Sequence, residues 1–250
     1  MGIGDELMAA GQARLMREAD GRRVRVCDQN GAPRWHDIWT GNPHLARPDE
    51  AGDFQKLVNA PGARPYIARK DHDRWHWREF EPRPADLEIG AAQRGLAARG
   101  AGFVVVQPTV KARASQNKHW GDGRWRDFAR RAAADGVRLL QLGPYGTRPL
   151  VGAQHAETLD FRQACAVLSG ARAYVGHEGG LHHAAAALGV PAVVIYGAYI
   201  SPRSTGYPAH RNLFEGEGLG CGMRRPCRCC SAAMARIEPE RVLQQLKEVL

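Results

Sequence analysis

The sequence predicts an α/β protein built as two lobes, a reduced one over residues 1–95 and a larger one with a parallel sheet over residues 96–250. Three observations lead there. The chain has 250 residues, more than the roughly 100 to 150 of a usual single domain. From Phe103 onward, short apolar runs alternate with stretches of helical period, the order in which strands and crossover helices build a parallel sheet. Before that point the chain is rich in Trp, Pro and Arg and shows few regular periods, which predicts a smaller, irregular lobe.

Asp5–Ala19 reads as an amphipathic helix opened by the glycine-rich turn GIGDE, and Arg22–Asp28 as a short strand after it. No strand precedes the turn, although a first strand is expected before such a turn in an α/β lobe, so the chain reads as beginning late or trimmed. RWHDIWTGNPHLARPDE and RWHWREFEPRPADLEI read as irregular, and Glu88–Gly102 as the link between lobes. FVVVQP (103–108) is apolar throughout, as in a strand covered on both faces. Arg124–Gly136 places Trp125, Phe128 and Ala132 on one helical face and ends at a glycine. A strand at Val137–Gly143 and a helix at Thr158–Ala171, with Phe161, Cys165 and Leu168 on one side, continue the alternation. ARAYVG, GLHHAAAALG and AVVIYG extend it as strand, helix and strand, which makes the second lobe Rossmann-like. Ile237–Leu250, with Val242, Leu243, Leu246 and Leu250 in one stripe, predicts a closing helix.

No apolar run approaches the ~20 residues that span a bilayer, and the N-terminus lacks the order of a secretory signal. The expected setting is therefore the cytoplasm, with peripheral attachment to the inner membrane left open, and its reducing conditions disfavour disulfides. A net charge of +9 favours anionic partners: nucleic acid, an acidic membrane surface or phosphate-bearing small molecules. The arginines are scattered rather than gathered in an arm or stripe, which speaks against nucleic acid.

GHEGGLHH (176–183) lies where a strand leads into a helix, the place where ligands bind in an open parallel sheet. Gly179 and Gly180 permit close backbone approach, the helix start offers unpaired N–H groups, and Glu178 supplies an acceptor. Amides for phosphate and a carboxylate for hydroxyls suit a phosphorylated sugar. A capping Glu178 and merely turn-fitting glycines explain the stretch as well. His182 and His183 are adjacent on a helix and point to different faces, so one of them meets the ligand at most. Lys118, in the polar loop KARASQNKHWG, can reach the edge of the same sheet as a point charge for a diphosphate. Trp120 reads as a hydrophobic anchor for the following helix. Asp5 reads as an N-cap or as a general base at the cleft between lobes.

GIGDELM, SQNKHWG and YVGHEGGLHHAAAALGVPAVVIYG, in this order, resemble glycosyltransferase family 9, the ADP-heptose:lipopolysaccharide heptosyltransferases and their relatives. The resemblance implies the GT-B fold of two Rossmann-like lobes and transfer of a heptose-like sugar from a nucleoside-diphosphate sugar, without a catalytic metal or other cofactor. It implies Asp5 as the base for the acceptor hydroxyl, Lys118 at the donor's phosphates, and Ser115 beside it among the substrate-binding residues. Glu178 corresponds to the acid that holds donor-sugar hydroxyls, Gly179 and Gly180 to the amides that receive the diphosphate, and His183 to the nearby histidine. Here Glu178 is a methylene longer than the family's usual aspartate, and Gly179 replaces a hydroxyl side chain. The acceptor is left open among a saccharide, a lipid-linked glycan and a protein.

Four of the six cysteines, Cys221, Cys227, Cys229 and Cys230, fall within ten residues. Four thiolates can close a tetrahedral zinc or iron site, and a cysteine-rich finger late in the second lobe resembles autotransporter heptosyltransferases. Adjacent Cys229 and Cys230 do not easily share one ion, which leaves open three cysteine ligands plus His210 or water, and also reduced cysteines in a loop. Arg224, Arg225 and Arg228 would give the loop a positive face toward an anionic acceptor. Two other readings of the chain remain: a non-catalytic nucleotide-sugar-binding protein of the same fold, and a nucleic-acid-associated protein built on the cysteine loop.

Overall fold

The computed structural model describes residues 2–111 and 114–250; Met1, and Ala112 and Arg113 of the KARASQNKHWG loop, lie outside the described residues. The chain runs through α1 (Ile3–Asp20), β1 (Val24–Cys27), β2 (Gln55–Val58), β3 (Ile67–Lys70), β4 (Trp75–Trp77), α2 (Ala91–Arg94) and β5 (Val104–Gln107). It continues through α3 (Asp122–Ala134), β6 (Leu139–Gly143), β7 (Ala153–Glu157), α4 (Phe161–Ser169), β8 (Ala173–His177), α5 (Gly180–Ala187) and β9 (Ala192–Gly197). The last elements are α6 (Pro202–Thr205), β10 (Arg211–Phe214), α7 (Arg228–Arg236) and α8 (Pro239–Lys247).

Six strands form one sheet in the order β10-β9-β8-β5-β6-β7, and every neighbouring pair in it is parallel. Strand order reverses at β5: β6 and β7 lie to one side, β8 to β10 to the other. Side chains alternate across the pleat, so Val105, Tyr174 and Val194 face one core with Leu7, Leu168 and Ala184, while Val104, Val106, Val175 and Ile195 face another with Trp120, Trp125, Phe128 and Leu246. This explains the unbroken apolar runs, because a strand covered on both faces has no solvent side to mark with polar residues. Trp120 is fully buried, stands edge-on to Trp125 at 5.0 Å and donates from its indole N–H to the Ile237 carbonyl at 2.7 Å. It anchors α3 to the closing helix α8.

The N-terminal part holds a two-stranded parallel pair, β1-β2, and the antiparallel hairpin β3-β4. Of these strands, only β1 was legible; the hairpin sits in a segment expected to be irregular. Strands β7 and β10 and helix α7 were likewise unexpected, their sequences AQHAE, RNLF and RCCSAAMAR being too short or too polar to show a period. Helix α1 starts at Ile3, earlier than the sequence suggests, and its N-cap is Gly2. Asp5 is therefore not the N-cap; it lies in the first turn and its carboxylate accepts from the Gly2 N–H at 3.1 Å. Among the described residues no helix is long and apolar enough to cross a membrane.

Candidate functional site

A cavity of about 1140 Å³ opens at the carboxyl ends of the sheet strands. Its lining includes Gln107 at the end of β5, Gly143 at the end of β6, Thr158 after β7 and residues 177–181 from the end of β8 onward. The carboxyl ends of β5 and β8 flank the point where strand order reverses, the position at which open α/β sheets bind ligands. From the N-terminal part, Gly2–Asp5, Arg64, Tyr66, Trp75 and Trp77 complete the wall.

Ser115, Lys118, Glu178, Gly179, Gly180, His183 and Asp5 all line this one cavity. Ser115 accepts from the Asn117 N–H at 3.3 Å and caps the 3-10 turn Gln116–Lys118, which holds Lys118 over the end of β8. The Lys118 ammonium pairs with the Glu178 carboxylate and lies 5.3 Å from the centroid of the Tyr199 ring. His183 Nε2 is 3.7 Å from the other Glu178 oxygen, and its Nδ1 is 3.0 Å from the Tyr207 hydroxyl. Burial opposes ionisation of Glu178, but the Lys118 charge and the nearby His183 outweigh it and hold the carboxyl well below the usual range. The site thus presents a fixed carboxylate and a cation at the floor of the cavity.

Gly179 and Gly180 have different surroundings. A Cβ at Gly179 would enter open space, whereas one at Gly180 would strike Ile3, with Phe161 close behind. A Cβ at Gly4 would meet His183 Cδ2 at 2.7 Å. Gly4 and Gly180 therefore let α1 and α5 pack against each other, a long-range reason for their presence that local turn chemistry does not reveal. His182 faces away from the cavity, fully buried among Tyr196, Tyr207 and His210.

Asp5 is held by three groups. Tyr66 donates its phenol to one carboxylate oxygen, and Arg64 Nη2 lies 2.9 Å from the other, which also accepts from Gly2. Burial and the Asp5 charge push the Tyr66 phenol well above its ordinary value, so it stays protonated and able to donate. Arg64 and Tyr66 come from the irregular segment, with no sequence signal linking them to Asp5.

The four sulfurs of Cys221, Cys227, Cys229 and Cys230 lie within 4.8 Å of one another. Cys221 is 3.1 Å from Cys230 and 3.7 Å from Cys227, which is 3.1 Å from Cys229. A tetrahedral thiolate site with metal–sulfur bonds of about 2.3 Å has sulfur–sulfur edges of about 3.8 Å, so this donor set fits zinc or iron. Adjacent Cys229 and Cys230 do both join the cluster, contrary to expectation. Cys227 occupies the N-cap position of α7 beside Cys229, and Cys221 approaches Cys230 in its first turn, which gives each of the adjacent pair a sulfur neighbour. His210 belongs elsewhere, 5.4 Å from the rings of both His182 and Tyr207.

The chain is similar to known proteins in sequence and fold. Lipopolysaccharide heptosyltransferase 1 of Pseudomonas aeruginosa is 32% identical over 143 residues, which are 52% of this chain and 38% of that protein. The chain thus spans well under two thirds of that relative's length. The solved iron-containing dodecameric glycosyltransferase TibC of enterotoxigenic E. coli superposes with a TM-score of 0.66 at 16% identity, over 100% of this chain and 74% of that one. E. coli heptosyltransferase WaaC, solved with ADP, superposes with a TM-score of 0.60 at 13% identity, over 100% of this chain and 98% of that one. The α/β fold is the GT-B-like one of these structures. Residues 77–222 match the sequence model of glycosyltransferase family 9 (heptosyltransferase), more than half of the chain, and the chain belongs to that family.

Proposed function

We propose that this protein is a glycosyltransferase that moves a heptose-like sugar from a nucleoside-diphosphate sugar to an acceptor hydroxyl. The observation that carries the reading is the placement of Asp5 on one wall and the Lys118–Glu178 pair on another wall of a single cavity. Residues 1–95 form the acceptor side in this proposal and residues 96–250 the donor side. The Gly179 and Gly180 amides, the start of α5 and Lys118 receive the diphosphate, and Glu178 accepts from the sugar hydroxyls. As the glycosidic bond to the diphosphate breaks, these same groups stabilise the departing charge, and no metal takes part in the chemistry. Asp5 removes the acceptor proton, with Tyr66 and Arg64 fixing the direction of its free lone pairs. The relative TibC is described as iron-containing, and zinc or iron held by the four cysteines here would give the 221–230 loop a rigid frame. The proposed setting is the cytoplasm, where such thiols stay reduced.

A thermal scan against ADP-, GDP-, UDP- and dTDP-sugars tests the reading. A matching donor at a hundredfold excess over its Kd adds about 2.7 kcal/mol of stability, a rise of several degrees in Tm. Glu178→Ala and Lys118→Ala remove most of that rise. The absence of a shift with every donor overturns the proposal, and a shift without donor turnover on any acceptor reduces it to nucleotide-sugar binding.

A further inference from the structure

We propose that Asn117 is a positioning residue that couples the cysteine cluster to the donor-binding lysine, an inference that rests on the transferase reading of the site. Asn117 is 4% exposed and immediately precedes Lys118 in the turn Gln116–Lys118. Its side-chain amide donates to the carbonyls of Met223 at 2.7 Å and Arg225 at 2.8 Å. Its carbonyl oxygen accepts from the Cys227 N–H at 2.9 Å. One buried carboxamide thus grips the cysteine loop at two carbonyls between the first and second sulfur donors and at the N–H of the second. Successive side chains of a 3-10 turn point about 120° apart, so while Asn117 enters the loop, Lys118 turns into the cavity.

The same loop is pinned from the opposite side. The Trp75 N–H donates to Gly222 at 2.9 Å and the Arg224 N–H to Asp73 at 2.8 Å, so the loop also braces the β3-β4 hairpin, whose Trp75 lines the cavity. The carbonyls that Asn117 grips lie between Cys221 and Cys227. Drawing the four sulfurs onto one ion fixes those carbonyls, and through Asn117 it fixes the backbone that carries Lys118. Without the ion the loop loses the tie among its four sulfurs, and the carbonyls that Asn117 grips are held less firmly. Affinity for the donor's diphosphate therefore depends on whether the cluster is loaded, although no cysteine touches the donor in this arrangement.

The test is a coupling cycle with ADP as probe, zinc and iron content measured on each sample, and donor KM and kcat followed in parallel. Stripping the metal from the wild-type protein raises the ADP Kd about tenfold, within the usual range of coupling between sites. Asn117→Ala raises it by a similar factor with metal content unchanged, and stripping that variant adds little, because the link is already cut. The loss falls on donor KM with kcat largely kept. Should the alanine variant not fold, Asn117→Asp, which keeps the shape and the acceptor for Cys227 but loses both donated bonds, carries the same comparison.

Three results overturn the inference: an unchanged ADP Kd in the Asn117 variants, an equal additional loss on stripping them, or loss of metal on substitution, which would make Asn117 a structural part of the cluster. A wild-type protein that binds neither metal overturns it as well. Lys118→Ala, run alongside, separates the two levels: if it binds ADP as the wild type does, the reading of the donor site falls, and this coupling with it.

Discussion

The Lys118 ammonium and the Glu178 carboxylate close an ion pair between the loop that follows β5 and the end of β8, neighbouring strands in the centre of the sheet. Their side chains are 20% and 8% exposed, so each neutralises a charge that would otherwise stand nearly alone in the cavity floor. Removing one partner of such a pair costs about 3 kcal/mol or more, whereas removing both is far milder. Glu178→Gln and Lys118→Met are each expected to lower unfolding stability by an amount of that order, and the double variant to recover much of it. Urea denaturation of the three proteins checks this; additive losses would contradict the pairing.

Acid should weaken the protein in two stages. Burial, together with the nearby His119 and Lys118, pulls His177 from 6.5 down to about 3. The unfolded chain therefore takes up a proton that the folded one refuses, and stability falls as pH drops below about 6.5, by up to about 1.4 kcal/mol per pH unit. Glu178 is held below its ordinary 4.5, so its contribution is present above that value and is lost as pH falls further. Buried His182 and His210 are depressed in the same way and add to the upper stage. His177→Gln, which can still accept from the Trp120 backbone N–H that His177 Nε2 meets at 3.0 Å, should therefore reduce the slope of that stage by its own share and leave the lower stage unchanged. Denaturation midpoints across that pH range provide the measurement.

Gly180 and Gly179 should respond in opposite ways to a side chain. Gly180→Ala drives a methyl against Ile3 and Phe161 and is expected to destabilise by about 1 to 3 kcal/mol through overpacking. Gly179→Ser enters open space at the N-cap of α5 and should stabilise by a few tenths of a kcal/mol, roughly the preference for Ser over Gly there. Thermal unfolding distinguishes them, and equal effects would remove the packing explanation.

Asp5→Asn should reduce turnover by about 10² to 10⁴, the usual contribution of a general base, while leaving the ADP Kd within a small factor of wild type. Tyr66→Phe removes one hydrogen bond to Asp5 and is expected to lower kcat less than the Asp5 change does. Turnover and ADP binding measured on the same samples check both. A large loss of ADP affinity in Asp5→Asn would place Asp5 on the donor side.

Except for β7, the order of strands and helices from Phe103 to Gly197 was readable because covered strands and amphipathic helices each impose a local period on the chain. The polar insertion GHEGGLHH was readable too, since it interrupts that period where a strand becomes a helix. β3 and β4 were not, because the side chains of IARK and WHW take their meaning from partners elsewhere: Trp77 donates to the Tyr199 carbonyl at 2.8 Å, 122 residues away in the chain.

By itself, then, the amino-acid order determined the α/β class, the core-facing positions and the turns where polar groups gather at the sheet's edge, all of which depend on spacing along a few tens of residues. Only the tertiary structure decided that Arg64 and Tyr66 hold Asp5, that Gly4 and Gly180 bring two helices together, that adjacent cysteines share one cluster, and that Asn117 joins it to Lys118. Those relations depend on distances between segments far apart in the chain, and such contacts leave no period in a single sequence.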